Sequence, residues 1–396
     1  MRLLDRITRR ELIFLIAWAI FTCTIIVGVT FLKYQPGYAP IETITKLIRF
    51  LSYGMAIVLI LQHFYKRSMI VQIIIAAAIV MISTLMSKDT VMIWCILFIV
   101  AAIGVDADRI CMISFLTRCV MIFGTMALSK MGIIQDYIFS ATTRARHGLG
   151  FDWATTGPIL FFFLTLLYIY LRREQLSLLE LVFIEVGHLY FYKQTDTRMT
   201  FYLGTLSVMI FAVSVLVKEK WRLTKKLGYL VCFAPIFVGI LAILLHVLYN
   251  SNNGLWAKLN NVMSGRLLLG YNAYHTFGLT LFGQEITWVG FGIDESGIGY
   301  NYVDCSYLQY MLEFGVIFIA FVLAIYTLII YRAVKHEEYY LVWICLITLV
   351  FSVTEPWLFN FTFNPIPILV FSKMRDRKRD GVLTDEQKYK NCCSNT

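Results

Sequence analysis

Apolar residues run along this chain in blocks of about 17–25 positions with few charges inside them, the length an α-helix needs to cross a hydrocarbon layer ~30 Å thick. The blocks predict twelve helices, at approximately 12–32, 45–63, 68–86, 90–105, 110–128, 154–171, 176–192, 199–217, 227–249, 304–331, 339–355 and 360–373. Pro365 and Pro367 interrupt the last, which a membrane helix tolerates where neighbours satisfy the freed carbonyls. Two polar segments are long, about 129–153 and about 250–303, and the stretch 374–396 is a charged tail that lacks the apolar content to pack. The expected fold class is all-α: a polytopic membrane helical bundle of about 12 transmembrane helices over residues 1–373, with one large outer loop and a short tail.

Composition agrees with the pattern. Of 396 residues, 59% are hydrophobic and 15% charged, with a mean hydropathy of +0.71; soluble domains carry roughly 25% charge. The net charge of +10 would suggest a nucleic-acid binder in a soluble protein, but the cations are sorted by side. With the N-terminus inside, 23 of the 35 Lys and Arg fall in cytoplasmic segments and 9 in outer ones, a positive-inside bias that sets both termini in the cytoplasm of a multi-pass protein of the cell membrane. Arg2, Arg6, Arg9 and Arg10 precede a full-length apolar span and read as a signal anchor. No CxxC pair occurs among the nine Cys, six of which sit in apolar runs as small hydrophobes.

The long outer segments, by contrast, carry the polar chemistry. The first contains Arg144, Arg146 and His147, then Gly148-Leu149-Gly150-Phe151-Asp152. Guanidinium forks match two phosphate oxygens at once, and small residues let backbone approach a ligand; the bland alternative is a pair that snorkels to the headgroups. A short outer turn holds Asp196 and Arg198, which either pair with each other or send Arg198 into a cationic pocket. The largest loop opens on Ser264-Gly265-Arg266, passes Tyr271, Tyr274 and His275, then Leu281-Phe282-Gly283, Asp294 and Glu295. It closes on Val303-Asp304-Cys305-Ser306-Tyr307-Leu308-Gln309 and Phe314-Gly315. Asp304 reads either as a helix cap or as a base, and His275 as an interfacial histidine or a base. Neither a phosphate-binding loop, a nucleophile elbow, nor a paired-acid metal motif stands out, so an ATP-driven pump and a metal-dependent cytoplasmic transferase lose support; no cofactor is implied.

The order of these motifs resembles the Wzy-type polymerases of capsular, exopolysaccharide and O-antigen repeat units, related to the O-antigen ligases. Arg146 through Phe151, Asp196 with Arg198, Ser264-Gly265-Arg266, Leu281-Phe282-Gly283, and Asp304 through Gly315 carry it, over roughly residues 130–360. The resemblance implies a GT-C-like membrane glycosyltransferase, metal-independent, moving a growing glycan from its undecaprenyl diphosphate carrier onto a new lipid-linked oligosaccharide outside the cytoplasmic membrane. It implies as partners a chain-length regulator and a flippase besides membrane lipids, and no nucleic acid. Arg266 and Arg198 would stabilise the departing diphosphate, Asp304 would activate the acceptor, and Arg144, Arg146, His147, His275 and Tyr307 would bind substrate. Related ligases have His where this chain has Asp304, a departure that leaves the base open. A ligase of finished glycan and a polysaccharide flippase or transporter are the competing expectations; a transporter should carry ionisable residues at mid-span, where this chain has little besides Arg118, Glu180, Glu185 and His188.

Overall fold

The computed structural model describes residues 7–139, 145–217, 225–290 and 300–375, and over these the chain is a helical bundle with a single two-stranded β-ribbon, Ile138–Phe139 against Arg146–His147. Fifteen α-helices are described: α1 Arg9–Val27, α2 Tyr38–Leu61, α3 Arg67–Ser87, α4 Val91–Ala101, α5 Ala107–Lys130, α6 Thr156–Arg172, α7 Leu178–Thr195, α8 Arg198–Val217, α9 Lys225–Val231, α10 Ala234–Val247, α11 Gly254–Val262, α12 Arg266–Phe277, α13 Ser306–Glu313, α14 Val316–Lys335 and α15 Tyr339–Phe351. By length and composition, seven helices among the described residues can cross a membrane, the α9–α10 pair counting as one. Their outer surfaces agree: Leu61, Leu85, Val120, Leu216 and Phe237 are all largely exposed. Helices apolar on every side belong in lipid rather than water. This is a multi-pass membrane protein.

Several predicted spans change form, among them the block at 227–249, which splits into α9 and α10. The block at 90–105 yields only the 11 residues of α4. The block at 304–331 breaks at Phe314-Gly315 into α13 and α14, with Gly315 at φ 95, a backbone conformation that L side chains rarely adopt. The block at 360–373 is not an α-helix: after α15 the chain is irregular and then forms a 3₁₀ turn, Ile366–Phe371. Pro365 and Pro367 remove the donors a helix would need there.

Residues 358–371 nonetheless pass through the bundle from end to end. At one end Ser306 holds the chain: its Oγ donates to the Glu355 carbonyl (2.7 Å) and accepts from Leu358 N (3.1 Å). At the other, Lys373 N donates to Val105 O (2.7 Å) and Ala107 N to Lys373 O (3.0 Å), at the start of α5. Non-helical backbone survives at membrane depth only when protein supplies its hydrogen bonds. Here side chains do so. Tyr326 Oη donates to Leu358 O (2.8 Å), Asn364 Nδ2 to the same carbonyl (2.8 Å), and Tyr310 Oη to Pro356 O (3.1 Å) while accepting from Phe359 N (3.2 Å). Arg118, fully buried in the middle of α5, donates to Phe361 O (2.6 Å). That gives the mid-span arginine one structural contact, while its Nε and Nη1 are buried without a hydrogen-bond partner among the described residues. Around the far end, Arg173 grips Asp108 through both terminal nitrogens (2.9 and 2.5 Å) and lies 3.2 Å from buried Glu338, tying α5, α6 and the α14–α15 turn together.

Candidate functional site

Opposite that ion-pair cluster the helices part around a cleft of about 1150 Å³. Its walls come from segments far apart in sequence: Lys33 and Tyr34 after α1, Arg146 on the ribbon, Asp152 and Trp153 before α6, Asp196 and Arg198 at the α7–α8 turn, Arg266 at the head of α12, and Trp288, Tyr300, Tyr302 and Asp304 from the large loop. Glu355, Pro356 and Trp357 enter from the irregular segment after α15. Four residues predicted to be outer cations, Lys33, Arg146, Arg198 and Arg266, therefore meet in one cavity.

Local turns aim these side chains. Asp196 adopts the left-handed conformation (φ 45) that ends α7, and α8 starts two residues later with Arg198. Ser264 (φ 56) and Gly265 (φ 86) turn the chain between α11 and α12, with Gly265 N bonded to Asn260 O at 2.8 Å, so that Arg266 begins the new helix. The glycines of the first loop work differently from the sequence expectation. A Cβ on Gly148 would stand 2.9 Å from Phe151 O, and one on Gly150 2.9 Å from Ser129 Cβ. They admit neighbouring protein rather than ligand. Leu281-Phe282-Gly283 is likewise a joint: Gly283 packs against Gly315, and Gln284 N, Val316 N and Ile317 N bond across to Glu313 O, Thr280 O and Leu281 O at 2.9–3.1 Å. The loop is thereby stapled to the α13–α14 break as one wall of the cleft.

At the centre Arg266 bridges two carboxylates. Nε donates to Asp304 Oδ2 (2.9 Å) and Nη2 to Glu355 Oε1 (3.3 Å). Asp304 is not a helix cap: Cys305 occupies that position in α13, and the Asp304 carboxylate faces Arg266. One guanidinium cannot neutralise two carboxylates, and burial disfavours charge. Burial pushes the Glu355 carboxyl up to about 7 despite Arg266, and it raises Asp304 as well, opposed by the same guanidinium. Burial thus raises both carboxyls against the pull of one guanidinium, a perturbation of the kind found at acid–base sites.

The remaining cations sit less tightly. Arg146 Nε donates to Thr195 O (2.7 Å) and Nη2 to Thr197 Oγ1 (3.4 Å). Arg198 is 45% exposed and reaches Asp196 at 3.4 Å. Lys33 pairs with Asp152 at 2.7 Å, and Thr156 Oγ1 donates to the other oxygen of Asp152 at 3.0 Å. Trp153, Trp288, Tyr300, Tyr302 and Trp357 supply flat apolar faces between the charges, a surface that suits sugar rings and other amphipathic ligands.

Arg146, Arg198, Arg266 and Asp304 thus share the cleft, whereas three other predicted residues lie outside it. Tyr307 is fully buried, its hydroxyl donating to Leu349 O (2.8 Å), and it anchors α13 to α15. His275 is exposed on α12 with its ring 4.2 Å from that of Tyr271. His147 pairs with Asp136 at 2.7 Å, and Asp136 Oδ1 also accepts from Leu149 N (2.7 Å), which makes the pair part of the ribbon's own framework. Arg144, Asp294 and Glu295 lie outside the described residues. Sequence reasoning missed Glu355 because it closes an apolar block; a lone carboxylate beside Pro356 at a span end was the available signal. It also missed Lys33 and Trp357.

No family model, curated protein or solved structure matches this chain.

Proposed function

We propose that the protein is a membrane glycosyltransferase that polymerises lipid-diphosphate-linked oligosaccharide repeat units, as the motif resemblance to Wzy-type polymerases implies. The observation that carries this reading is the cleft at one end of the bundle, where four cations and four carboxylates converge and Arg266 bridges two of the carboxylates. A lipid-linked sugar diphosphate needs those parts. The cations offset charge that develops on the leaving diphosphate, the aromatic faces hold sugar rings, and a carboxylate takes the proton of the attacking hydroxyl. In the step itself the acceptor oxygen bonds to the anomeric carbon as the bond from that carbon to the diphosphate oxygen breaks. The hydroxyl proton passes to Glu355 or Asp304, and undecaprenyl diphosphate leaves with the bonding pair.

In this reading Arg266 and Arg198 face the diphosphate, Arg146 and Lys33 extend the cationic wall, and Glu355 joins Asp304 as an acid–base candidate. The charge bias supports a cytoplasmic membrane location with both termini inside and the cleft outside. The irregular passage 358–371 takes the place of the twelfth predicted helix in that topology. A flippase and a chain-length regulator would supply substrate and terminate product.

Reconstitution decides the matter. Purified protein given an undecaprenyl-diphosphate-linked repeat unit should produce a ladder of glycan lengths. A single transfer product would assign a ligase instead, and unchanged substrate with lipid-linked glycan moved across the vesicle wall would assign a transporter.

A further inference from the structure

Helix α11 is nine residues long. At 1.5 Å per residue it is about 13 Å in length, far short of the ~20 residues a span requires. Its side chains nevertheless sort into three faces. Trp256 and Asn260, with Met263 one turn on, look into the protein: Met263 joins Tyr249 and Leu267 in a small core against which Trp256 packs, and Asn260 Oδ1 accepts from Leu268 N at 3.1 Å. Lys258 and Asn261 form an exposed polar face, with half-buried Ala257 at its edge. Leu255, Leu259 and Val262 make the third face, spaced i, i+4, i+7, at 78%, 37% and 72% exposure. At about 100° per residue these faces each take roughly a third of the circumference.

A helix with protein on one side, water on the second and an uncovered apolar stripe on the third has the pattern of one lying in a membrane interface. The neighbouring helix says what covers the stripe. Phe237, Leu241, Leu244 and Leu248 are exposed along α10 at i, i+4, i+7 and i+11, forming the lipid-facing side of that span. That stripe ends at Leu248, and the exposed polar link Asn250-Ser251-Asn252-Asn253 follows it, so α11 begins just beyond the end of a lipid-facing span. Tyr249 and Trp256, in edge contact with ring centroids 6.2 Å apart, pack on the inner side of this junction and hold α11 against the protein.

We infer that α11 is an interfacial helix whose Leu255-Leu259-Val262 face is seated in the phospholipid headgroup–acyl boundary beside the cleft. The partner is the bilayer itself, whatever the cleft transfers. The seat has a consequence for the site. Asn260 and the Ser264-Gly265 turn couple α11 rigidly to the first turn of α12, so the depth of α11 in the interface sets the depth at which Arg266 stands.

The test uses the full chain in nanodiscs of phosphatidylcholine and phosphatidylglycerol. Leu255→Cys, Lys258→Cys and Val262→Cys variants are treated with a membrane-impermeant maleimide, and modification at each position is read by peptide mass spectrometry, so native thiols do not interfere. Desolvation lowers the thiolate fraction by about tenfold per pKa unit. Positions 255 and 262 should therefore react at least about tenfold more slowly than position 258, and all three alike after denaturation. Equal rates at the three positions in nanodiscs would overturn the proposal. A benzophenone side chain at 255 or 262 identifies what covers the face: photoadducts with phospholipid support the seat, and adducts with a second polypeptide refute it.

Discussion

The Arg266 bridge offers the sharpest test of the cleft. Substituting Arg266→Met keeps length and flexibility but removes the charge that serves Asp304 at 2.9 Å and Glu355 at 3.3 Å. At an effective dielectric of about 20 each contact near 3 Å is worth roughly 5 kcal/mol of Coulomb attraction, most of it offset by desolvation of the three groups. Removing one partner of a buried pair leaves the desolvation in place, and the usual net loss is about 3–5 kcal/mol. Glu355 is the more deeply buried carboxylate and should account for most of it. The loss depends on pH, because a carboxyl that has lost its cation can escape the penalty by taking a proton. Thermal unfolding of the detergent-solubilised variant should therefore show a large deficit against the parent at pH 8 and a small one at pH 5. Adding Asp304→Asn and Glu355→Gln to Arg266→Met removes the stranded charges and should recover more than half of the pH 8 deficit. Glycan transfer, by contrast, should fall by about 10²–10³-fold in the single variant and by no less in the triple, which lacks the transition-state cation and both proton acceptors. If Arg266→Met unfolds like the parent at pH 8, or if neutralising the carboxylates rescues nothing, the bridge is not the energetic centre described here.

Glu355 sets opposite pH slopes for stability and activity. Its folded value of about 7 lies above the ordinary 4.5, so its contribution to stability is complete below pH 4.5 and is lost as pH rises through about 7. Buried Glu338 at the far end adds the same sign over the same window. Transfer that needs an ionised carboxylate rises over that interval, and Glu355→Gln should flatten the rise, while Asp304→Asn tests whether the second carboxylate shares the proton; parallel pH–rate profiles for the parent and the Glu355 variant would remove Glu355 from the chemistry. Gly315→Ala should destabilise the protein, because position 315 has φ 95 and its Cβ would stand 2.5 Å from Leu281 O; a limited-proteolysis pattern identical to that of the parent would show that the loop is not stapled there. A tag inserted at about residue 290 should be reached from outside intact cells and one after Thr396 only after permeabilisation; the reverse pattern would invert the topology and the cleft with it.

The apolar blocks by themselves determined that this is a helical membrane protein and, within a few residues, where most helices lie, because crossing a bilayer imposes length and composition on each segment separately. The sorting of cations predicted a sided molecule for the same local reason, and Arg146, Arg198, Arg266 and Asp304 were legible because charge in an outer segment is conspicuous. Only the tertiary structure decided what those residues share. Lys33 and Arg266 are more than two hundred positions apart, and no local pattern announces that they line one cavity. Glu355 looked like the end of a span until α15 stopped at Phe351 and the following chain turned irregular. That irregular passage was itself invisible to periodicity: a non-helical segment is stable in a membrane only when distant side chains such as Arg118, Tyr310 and Tyr326 satisfy its backbone, and those partners become visible only once the chain is folded. Tyr307 and His147 stand outside the cleft instead. Each has the chemistry of a ligand group, but packing had already committed it, Tyr307 to the Leu349 carbonyl and His147 to Asp136.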